Sequence, residues 1–182
     1  LYLPLPSPHT PILPLERFMG KSNTNFYGDF VQQVDWHVGQ VMEALERNGV
    51  ADDTLFIFTS DNGPGHHSLR KPNQSAYPLR RGKASVYEGG IRVPCIVRWP
   101  GKVPAGRVSD AIFSTLDFMP TFAKLAGFKV PADRVIDGVD QTDLLLGKNA
   151  KGARETFVYR NNGIRRGKWK YLKAKHNVYG YA

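Results

Sequence analysis

The stretch Thr54-Leu55-Phe56-Ile57-Phe58-Thr59-Ser60-Asp61-Asn62-Gly63 places an apolar run directly before a carboxylate, a carboxamide and a glycine. The run is short and lacks polar alternation, which predicts a strand over residues 54–59 that is buried on both faces, as in a parallel sheet. Asp61 and Asn62 then offer hard oxygen ligands of the kind that calcium or magnesium prefers. Gly63 lets the backbone turn away from the ion. A simple turn is the alternative interpretation, because Asp-Asn-Gly is a common turn sequence.

An amphipathic helix is predicted before this strand. It begins near Asn25 and ends at Asn48-Gly49, which is a common helix stop. Its apolar residues recur at helical spacing and are Phe30, Val31, Val34, Val38, Val41, Met42 and Leu45. A helix followed by a buried strand indicates the α/β class, with helices packed on a mostly parallel sheet.

The later elements extend this organisation. Residues 63–90 are poor in apolar side chains and should form an ordered loop over the site. A strand is predicted over residues 91–99, and a helix over residues 116–126 that starts near Thr115 or Asp117. After a linker at residues 147–152, the predicted strands of a small antiparallel sheet are residues 156–160, 163–165 and 169–172.

A cationic segment follows the Asp-Asn-Gly turn. Residues 80–90 read Arg-Arg-Gly-Lys-Ala-Ser-Val-Tyr-Glu-Gly-Gly, so Lys83 and its neighbours lie between glycines. Cationic side chains close to a metal turn suggest an anion held beside a divalent metal.

Several short motifs follow one another along the chain. They are Ser7-Pro8-His9-Thr10-Pro11, Ser60-Asp61-Asn62-Gly63, Lys83 with Tyr87-Glu88-Gly89-Gly90-Ile91-Arg92-Val93-Pro94, Trp99-Pro100-Gly101, Leu116-Asp117-Phe118-Met119-Pro120-Thr121 and Ile136-Asp137-Gly138-Val139-Asp140. On these residues the chain resembles the sulfatase (arylsulfatase) family of the alkaline-phosphatase-like superfamily. Each motif alone is weak, but their order and spacing together are specific to that family.

The resemblance implies hydrolysis of sulfuric esters and assigns roles to residues. Asp61 and Asn62 would bind a single calcium ion, with magnesium as the other possibility. The two-metal phosphatases of the superfamily place Asp-His at the corresponding strand end, so Asn62 favours a sulfatase. Lys83 would neutralise sulfate oxygens as a catalytic and substrate-binding residue, rather than being an ordinary solvated lysine. His9 would bind the ester or protonate its leaving group, rather than being an exposed loop residue.

The family's nucleophile is absent from this sequence. It is a formylglycine made from Cys or Ser in a Cys/Ser-x-Pro/Ala-x-Arg motif, which lies in the first half of the family's chain beside a pair of acidic metal ligands. The single cysteine, Cys95, lies in an apolar setting and is predicted to be a buried structural thiol. The chain is therefore expected to be the C-terminal portion of a sulfatase and to be inactive alone. Residues 1–147 would belong to the catalytic α/β domain, and residues 148–182 would begin a small C-terminal antiparallel-sheet subdomain.

The remaining histidines are weaker candidates. His66 and His67 follow the metal turn closely, but adjacent side chains point apart, so both are retained only as candidates for the substrate pocket. His37 lies within the predicted helix and His176 in the terminal tail. Neither has partners at metal-ligand spacing, so both are interpreted as structural or solvent-facing.

Composition bounds the partners. At 182 residues and 41% hydrophobic content, the chain can bury one substantial core. The net charge of +9 could attract nucleic acid, but the basic residues are scattered and no nucleic-acid-binding motif is present, so a sulfated small molecule or carbohydrate is favoured. The other expected partner is the missing N-terminal half of the same protein.

No segment approaches the roughly 20 apolar residues of a membrane span. The termini do not reveal a location, and the resemblance implies a periplasmic, secreted or lysosomal one.

Two other functions remain open on the sequence alone. One is a phosphate or phosphonate ester hydrolase of the same superfamily, which would use a different nucleophile. The other is a noncatalytic anion-binding or interaction protein that keeps the fold without the nucleophile.

Overall fold

The computed structural model describes residues 1–65, 73–160 and 162–173. They fall into two compact units, the first being Leu1–Ile96 and the second beginning at Val97. The domain boundary predicted after residue 147 remains a prediction. No helix among the described residues is both long enough and apolar enough to cross a membrane.

Helix α1 (Phe26–Arg47) dominates the first unit and confirms the predicted amphipathic helix. Asn25 caps its start by accepting hydrogen bonds from the backbone of Tyr27 and Gly28, and Gly49 follows its end with a φ of 67°. Both features satisfy helix-end groups that have no intrahelical partner. The local sequence therefore determines where this helix begins and ends.

The extended N-terminal segment is anchored to the buried side of α1. The Asp29 carboxylate accepts hydrogen bonds from the backbone N–H groups of Gly20 (2.8 Å) and Ser22 (2.9 Å). The Gln33 side-chain oxygen accepts one from Leu15 N at 2.8 Å. Asp29 and Gln33 are buried, and their polar groups are satisfied because the neighbouring chain supplies the donors.

Strand β1 (Phe56–Thr59) pairs with strand β2 (Cys95–Arg98) in a two-stranded sheet. Each residue of β1 is half-buried, less than the predicted burial on both faces, because β2 is its one hydrogen-bonded neighbour among the described residues. The turn after β1 lies at the predicted position.

The predicted strand over residues 91–99 is wrong in its first part. A single helical turn, α2 (Glu88–Ile91), occupies its start, and the strand begins only at Cys95. Pro94 explains the delay, because proline has no N–H to donate to a sheet.

Cys95 is also not the buried thiol that the sequence predicts. Cys95 is exposed, because it lies with Ile96 at the exposed start of β2, and only Val97 and Arg98 are half-buried.

In the second unit, a short 3-10 helix at Thr115–Asp117 leads directly into α3 (Phe118–Leu125). Asp117 is the N-cap residue of α3, near the predicted start, and Ser114 caps the 3-10 helix before it. Its hydroxyl accepts from Leu116 N at 3.3 Å, while its own N–H donates to Asp117 at 2.9 Å. This reciprocal arrangement is a capping box. Gly127, with a φ of 76°, follows the helix as predicted.

Two of the sequence motifs meet in this unit. The Asp117 carboxylate accepts a hydrogen bond from Val139 N at 2.9 Å, and the Thr121 hydroxyl accepts one from Gln141 N at 3.0 Å. The guanidinium of Arg154 forms an ion pair with Asp117 at 2.5 Å. Asp117 and Thr121 are completely buried. These motif residues are therefore structural, and they join α3 to the segment before α4 (Thr142–Leu145).

The predicted small antiparallel sheet is confirmed. It has the order β3-β4-β5, formed by Thr156–Val158, Gly163–Arg166 and Trp169–Leu172. Phe157 pairs with Arg165, which pairs in turn with Lys170. The buried apolar side chains are Phe30, Val34, Ala76 and Val86 in the first unit, and Leu144, Leu145 and Tyr159 in the second.

Candidate active site

The turn that follows β1, residues 60–64, is called the aspartate turn below. The Ser60 hydroxyl donates to the backbone oxygen of Asn62 at 3.0 Å and lies 3.4 Å from the Asp61 carboxylate. The Asn62 amide donates through Nδ2 to the Gly63 oxygen at 3.0 Å. This leaves the side-chain oxygen of Asn62 available as a ligand. The Asp61 side chain is exposed and that of Asn62 is half-buried.

Residues 80–90, called the lysine segment below, pack against the aspartate turn through backbone atoms. Gly63 N donates to Gly90 O at 2.9 Å, and Lys83 N donates to Pro64 O at 2.8 Å. Hydrogen bonds on both sides of the turn fix the backbone of Lys83 relative to Asp61 and Asn62. The structure thus brings together two motifs that are about twenty residues apart in sequence.

Only glycine fits at the points of closest approach. A Cβ atom at Gly63 would overlap the carbonyl oxygen of Gly89. A Cβ atom at Gly90 would overlap the carbonyl oxygens of Ser85 and Gly82. The obstructing atoms are backbone atoms, which cannot rotate away as a side chain does.

The backbone of the lysine segment is strained on both sides of Lys83. Arg81 (φ 65°) and Ala84 (φ 70°) both adopt left-handed backbone conformations, which are unfavourable for residues with a Cβ atom. The Ser85 hydroxyl closes the bend by donating to Gly82 O at 2.9 Å. Such conformations persist only where the surrounding structure enforces them, and they concentrate at functional sites. They flank Lys83 on both sides.

The exposed side chain of Lys83 forms no hydrogen bond or ion pair with any described residue. Its ammonium group therefore remains available to an anion. Nearby, the Arg80 guanidinium lies 4.1 Å from the ring centroid of Tyr87, a cation–π distance. Arg80 is thereby held by an aromatic ring, whereas Lys83 is not.

His9 lies on an exposed loop. Its N–H donates to Pro6 O at 3.0 Å, and its ring Nδ1 lies 2.9 Å from the Thr10 carbonyl oxygen. Among the described residues no hydrogen bond links His9 to Asp61, Asn62 or Lys83. Its participation in the site therefore stays a prediction.

The other four histidines have different outcomes. The substrate-pocket candidates His66 and His67 lie outside the described residues, as does His176. His37 lies on α1, where its ring contacts Trp36 edge to face with centroids 5.2 Å apart.

The donor set of the aspartate turn suits a hard divalent cation, but it is small. Asp61 contributes a carboxylate and Asn62 an amide oxygen, which are typical calcium and magnesium ligands. Within residues 1–65, 73–160 and 162–173, no group of three His, Cys, Asp or Glu side chains could hold a metal. The turn therefore fits part of a coordination shell.

Sequence reasoning did not identify the groups that hold the site together. Pro64 and Gly90 act through backbone oxygens, and residue type does not predict such a contact. The sequence signal was indirect: Gly63 and the Gly89-Gly90 pair mark close backbone approach.

A family model described as Sulfatase matches residues 1–128, and the chain belongs to the sulfatase family. It is 41% identical over 176 residues to arylsulfatase D of Homo sapiens, covering 93% of this chain and 29% of the relative. It is 39% identical over 164 residues to N-acetylgalactosamine-6-sulfatase of Mus musculus, a match that covers 90% of this chain and 31% of that relative.

A similar solved structure is the PsFucS1 sulfatase from Pseudoalteromonas sp. The TM-score is 0.80 at 31% identity, and the match covers 90% of this chain and 34% of that one. The chain thus spans about three tenths of the length of the curated relatives it matches.

Proposed function

We propose that this chain forms part of the active site of a sulfate ester hydrolase. The observation that carries the proposal is the pair of backbone hydrogen bonds between the aspartate turn and the lysine segment. It supports a site in which metal ligands and a cation act on one anion. Membership of the sulfatase family makes a sulfate ester the preferred anion.

Asp61 and Asn62 are proposed to bind calcium, with magnesium as the alternative. When bound, the cation would stabilise negative charge on the sulfate oxygens. Asp61 supplies the formal negative charge of the pair, and Asn62 supplies a neutral oxygen. Loss of the Asp61 carboxylate should therefore weaken cation binding more than loss of the Asn62 amide.

Lys83 is proposed to bind the sulfate group directly. Its ammonium is a compact point charge with three donors, which suits non-bridging sulfate oxygens and the charge that develops on the leaving oxygen. Because its backbone is fixed before substrate arrives, little reorganisation is needed when that charge develops.

His9 is proposed to hold or donate a proton at the ester oxygen as the alcohol leaves. The exposed ring makes this role compatible with substrate access. His67 is proposed only as a contact to the substrate.

The nucleophile is proposed to be a formylglycine supplied from outside this chain. Such a group provides an oxygen nucleophile at sulfur when present. The residues of this chain are proposed to orient the sulfate, neutralise its charge and deliver a proton.

The substrate class is proposed to be a sulfated small molecule or a sulfated carbohydrate. The chain's net charge of +9 would raise the local concentration of such anions. Two relatives are named for an aryl sulfate and for a sulfated amino sugar, so their names do not distinguish the alternatives.

The test is sulfate release from an aryl sulfate by the full-length protein, run beside metal analysis. Asp61→Ala should lose bound metal and activity together. Lys83→Ala should keep the metal while turnover falls by about 100- to 1,000-fold, the usual effect of removing a preorganised donor. Lys21→Ala, which removes an exposed lysine from the same unit, is the matched control and should retain activity.

The same assay separates the competing functions. Faster hydrolysis of phosphate or phosphonate esters would identify the other hydrolase class. Calcium and sulfate binding without turnover of any ester would identify a noncatalytic anion-binding protein. Turnover by residues 1–182 alone would contradict the proposed external nucleophile.

A further inference from the structure

The backbone contact between the aspartate turn and the lysine segment has two separate connections. One runs from Gly63, next to Asn62, to Gly90 O at 2.9 Å. The other runs from Lys83 N to Pro64 O at 2.8 Å. Movement of the turn must therefore stretch or break a hydrogen bond of Lys83 itself.

Hydrogen bonds within the lysine segment brace it internally. Gly89 N donates to Arg80 O at 2.9 Å, and Gly90 N donates to Tyr87 O at 2.9 Å. Together with the bond from the Ser85 hydroxyl, these contacts join both ends of the segment across Lys83.

We propose that Gly63 and Gly90 are positioning residues that couple the aspartate turn to Lys83. A cation on Asp61 and Asn62 restricts the lysine segment and so strengthens anion binding at Lys83. An anion on Lys83 strengthens cation binding by the same factor, because coupling between two sites is reciprocal. The identity of the two ligands rests on the proposed function.

A first experiment measures amide hydrogen exchange in the full-length protein. Gly90→Ala should accelerate exchange in both residues 60–64 and residues 80–90, because its Cβ atom displaces the Ser85 and Gly82 carbonyls. Gly65→Ala is the matched control, because its Cβ atom would meet nothing within 4 Å. Acceleration confined to residues 80–90 would overturn the coupling.

Calcium provides the second arm of this experiment. Adding calcium chloride should slow exchange at residues 80–90 in the unchanged protein, and it should do so less in Gly90→Ala. Asp61→Ala should abolish the effect, which would assign it to the aspartate turn. Slowing that survives in Asp61→Ala would place the cation elsewhere and overturn the proposal.

A second experiment measures calcium affinity by calorimetry with and without inorganic sulfate. Saturating sulfate should tighten calcium binding by about 5-fold or more in the unchanged protein, the lower end of usual coupling factors. In Gly90→Ala the factor should fall, whereas Gly65→Ala should keep it. A factor unchanged in folded Gly90→Ala would refute the positioning role.

A double-variant cycle separates positioning from simple packing. Lys83→Ala should weaken sulfate binding by about 10- to 100-fold, the loss of a charge-assisted contact. If Gly90 acts through Lys83, adding Gly90→Ala to Lys83→Ala should weaken sulfate binding no further. Additive losses would mean that Gly90 only supports the fold.

If Gly90→Ala does not fold, Ser85→Ala replaces it. This change removes the hydroxyl bond to Gly82 O without introducing an overlap, and it should lower the coupling factor in a folded protein. Coupled binding without sulfate ester turnover would leave this proposal standing and reject the proposed function, whereas turnover with independent binding would do the reverse.

Discussion

Replacing Asp117 by alanine should destabilise the second unit more than any surface change. The carboxylate is completely buried. It pairs with the Arg154 guanidinium and accepts the backbone N–H groups of Ser114 and Val139, each at 2.9 Å. Truncation removes the partner of all three donors at once.

The expected loss follows from what is left behind. The Arg154 side chain is only 10% exposed, so without Asp117 a buried charge lacks its counterion. Breaking a buried ion pair from one side costs about 3–5 kcal/mol. The two abandoned N–H groups act in the same direction, so we expect a loss of about 4 kcal/mol or more.

The assay is urea unfolding of the full-length protein followed by far-UV circular dichroism. The control is Lys124→Ala, which removes an ion pair to Asp140 whose lysine side chain is 57% exposed. An exposed pair contributes at most about 1 kcal/mol, so this variant should remain close to the unchanged protein. If the slope of the unfolding free energy against urea concentration is the same in the variants and the unchanged protein, the change lies in stability itself.

A double variant provides the decisive comparison. Asp117→Ala combined with Arg154→Met removes the unpaired charge as well as its counterion, so it should be less destabilised than Asp117→Ala alone. A loss below about 1 kcal/mol for Asp117→Ala, or strictly additive losses in the double variant, would refute the reasoning.

Three further predictions concern stability. Burial raises the pKa of Asp117, but the hydrogen bonds from Arg154, Val139 and Ser114, together with the Arg154 charge, outweigh burial and lower the net pKa. In urea unfolding, the free energy of unfolding of the unchanged protein should therefore exceed that of Asp117→Asn at pH values above the ordinary pKa of 3.8. This difference should shrink as the pH falls below that value. Gly138→Ala should lower the melting temperature because its Cβ atom would overlap the Leu116 carbonyl oxygen, whereas Gly39→Ala in α1 has open space and should not. Asn25→Ala removes the cap of α1 and should cost about 1 kcal/mol in urea unfolding, which Asn25→Ser should largely restore.

Local signals predicted much of the fold. The limits of α1 followed from Asn25 and Asn48-Gly49, because capping residues act within one helical turn. The final strand, Trp169–Leu172, was predicted to the residue. The strand predicted over residues 91–99 began too early, since the helical turn Glu88–Ile91 occupies its start and the strand begins only after Pro94.

The candidate site was predicted in part. Asp61, Asn62 and Lys83 were singled out from sequence. The structure places the backbone of Lys83 against the aspartate turn, which carries Asp61 and Asn62. Burial was less predictable, as the exposed thiol of Cys95 shows, because an apolar neighbourhood in sequence does not guarantee cover in space.

The sequence by itself determined the sulfatase family and the order of its motifs, because both depend on residue identity and spacing. Only the tertiary structure decided which motifs are structural. It showed that Asp117 accepts donors from residues 114, 139 and 154, and that Gly63 meets Gly90 backbone to backbone. Contacts of this kind join residues far apart in sequence through atoms that every residue possesses. Their positions follow from chain geometry and are not encoded by any local pattern.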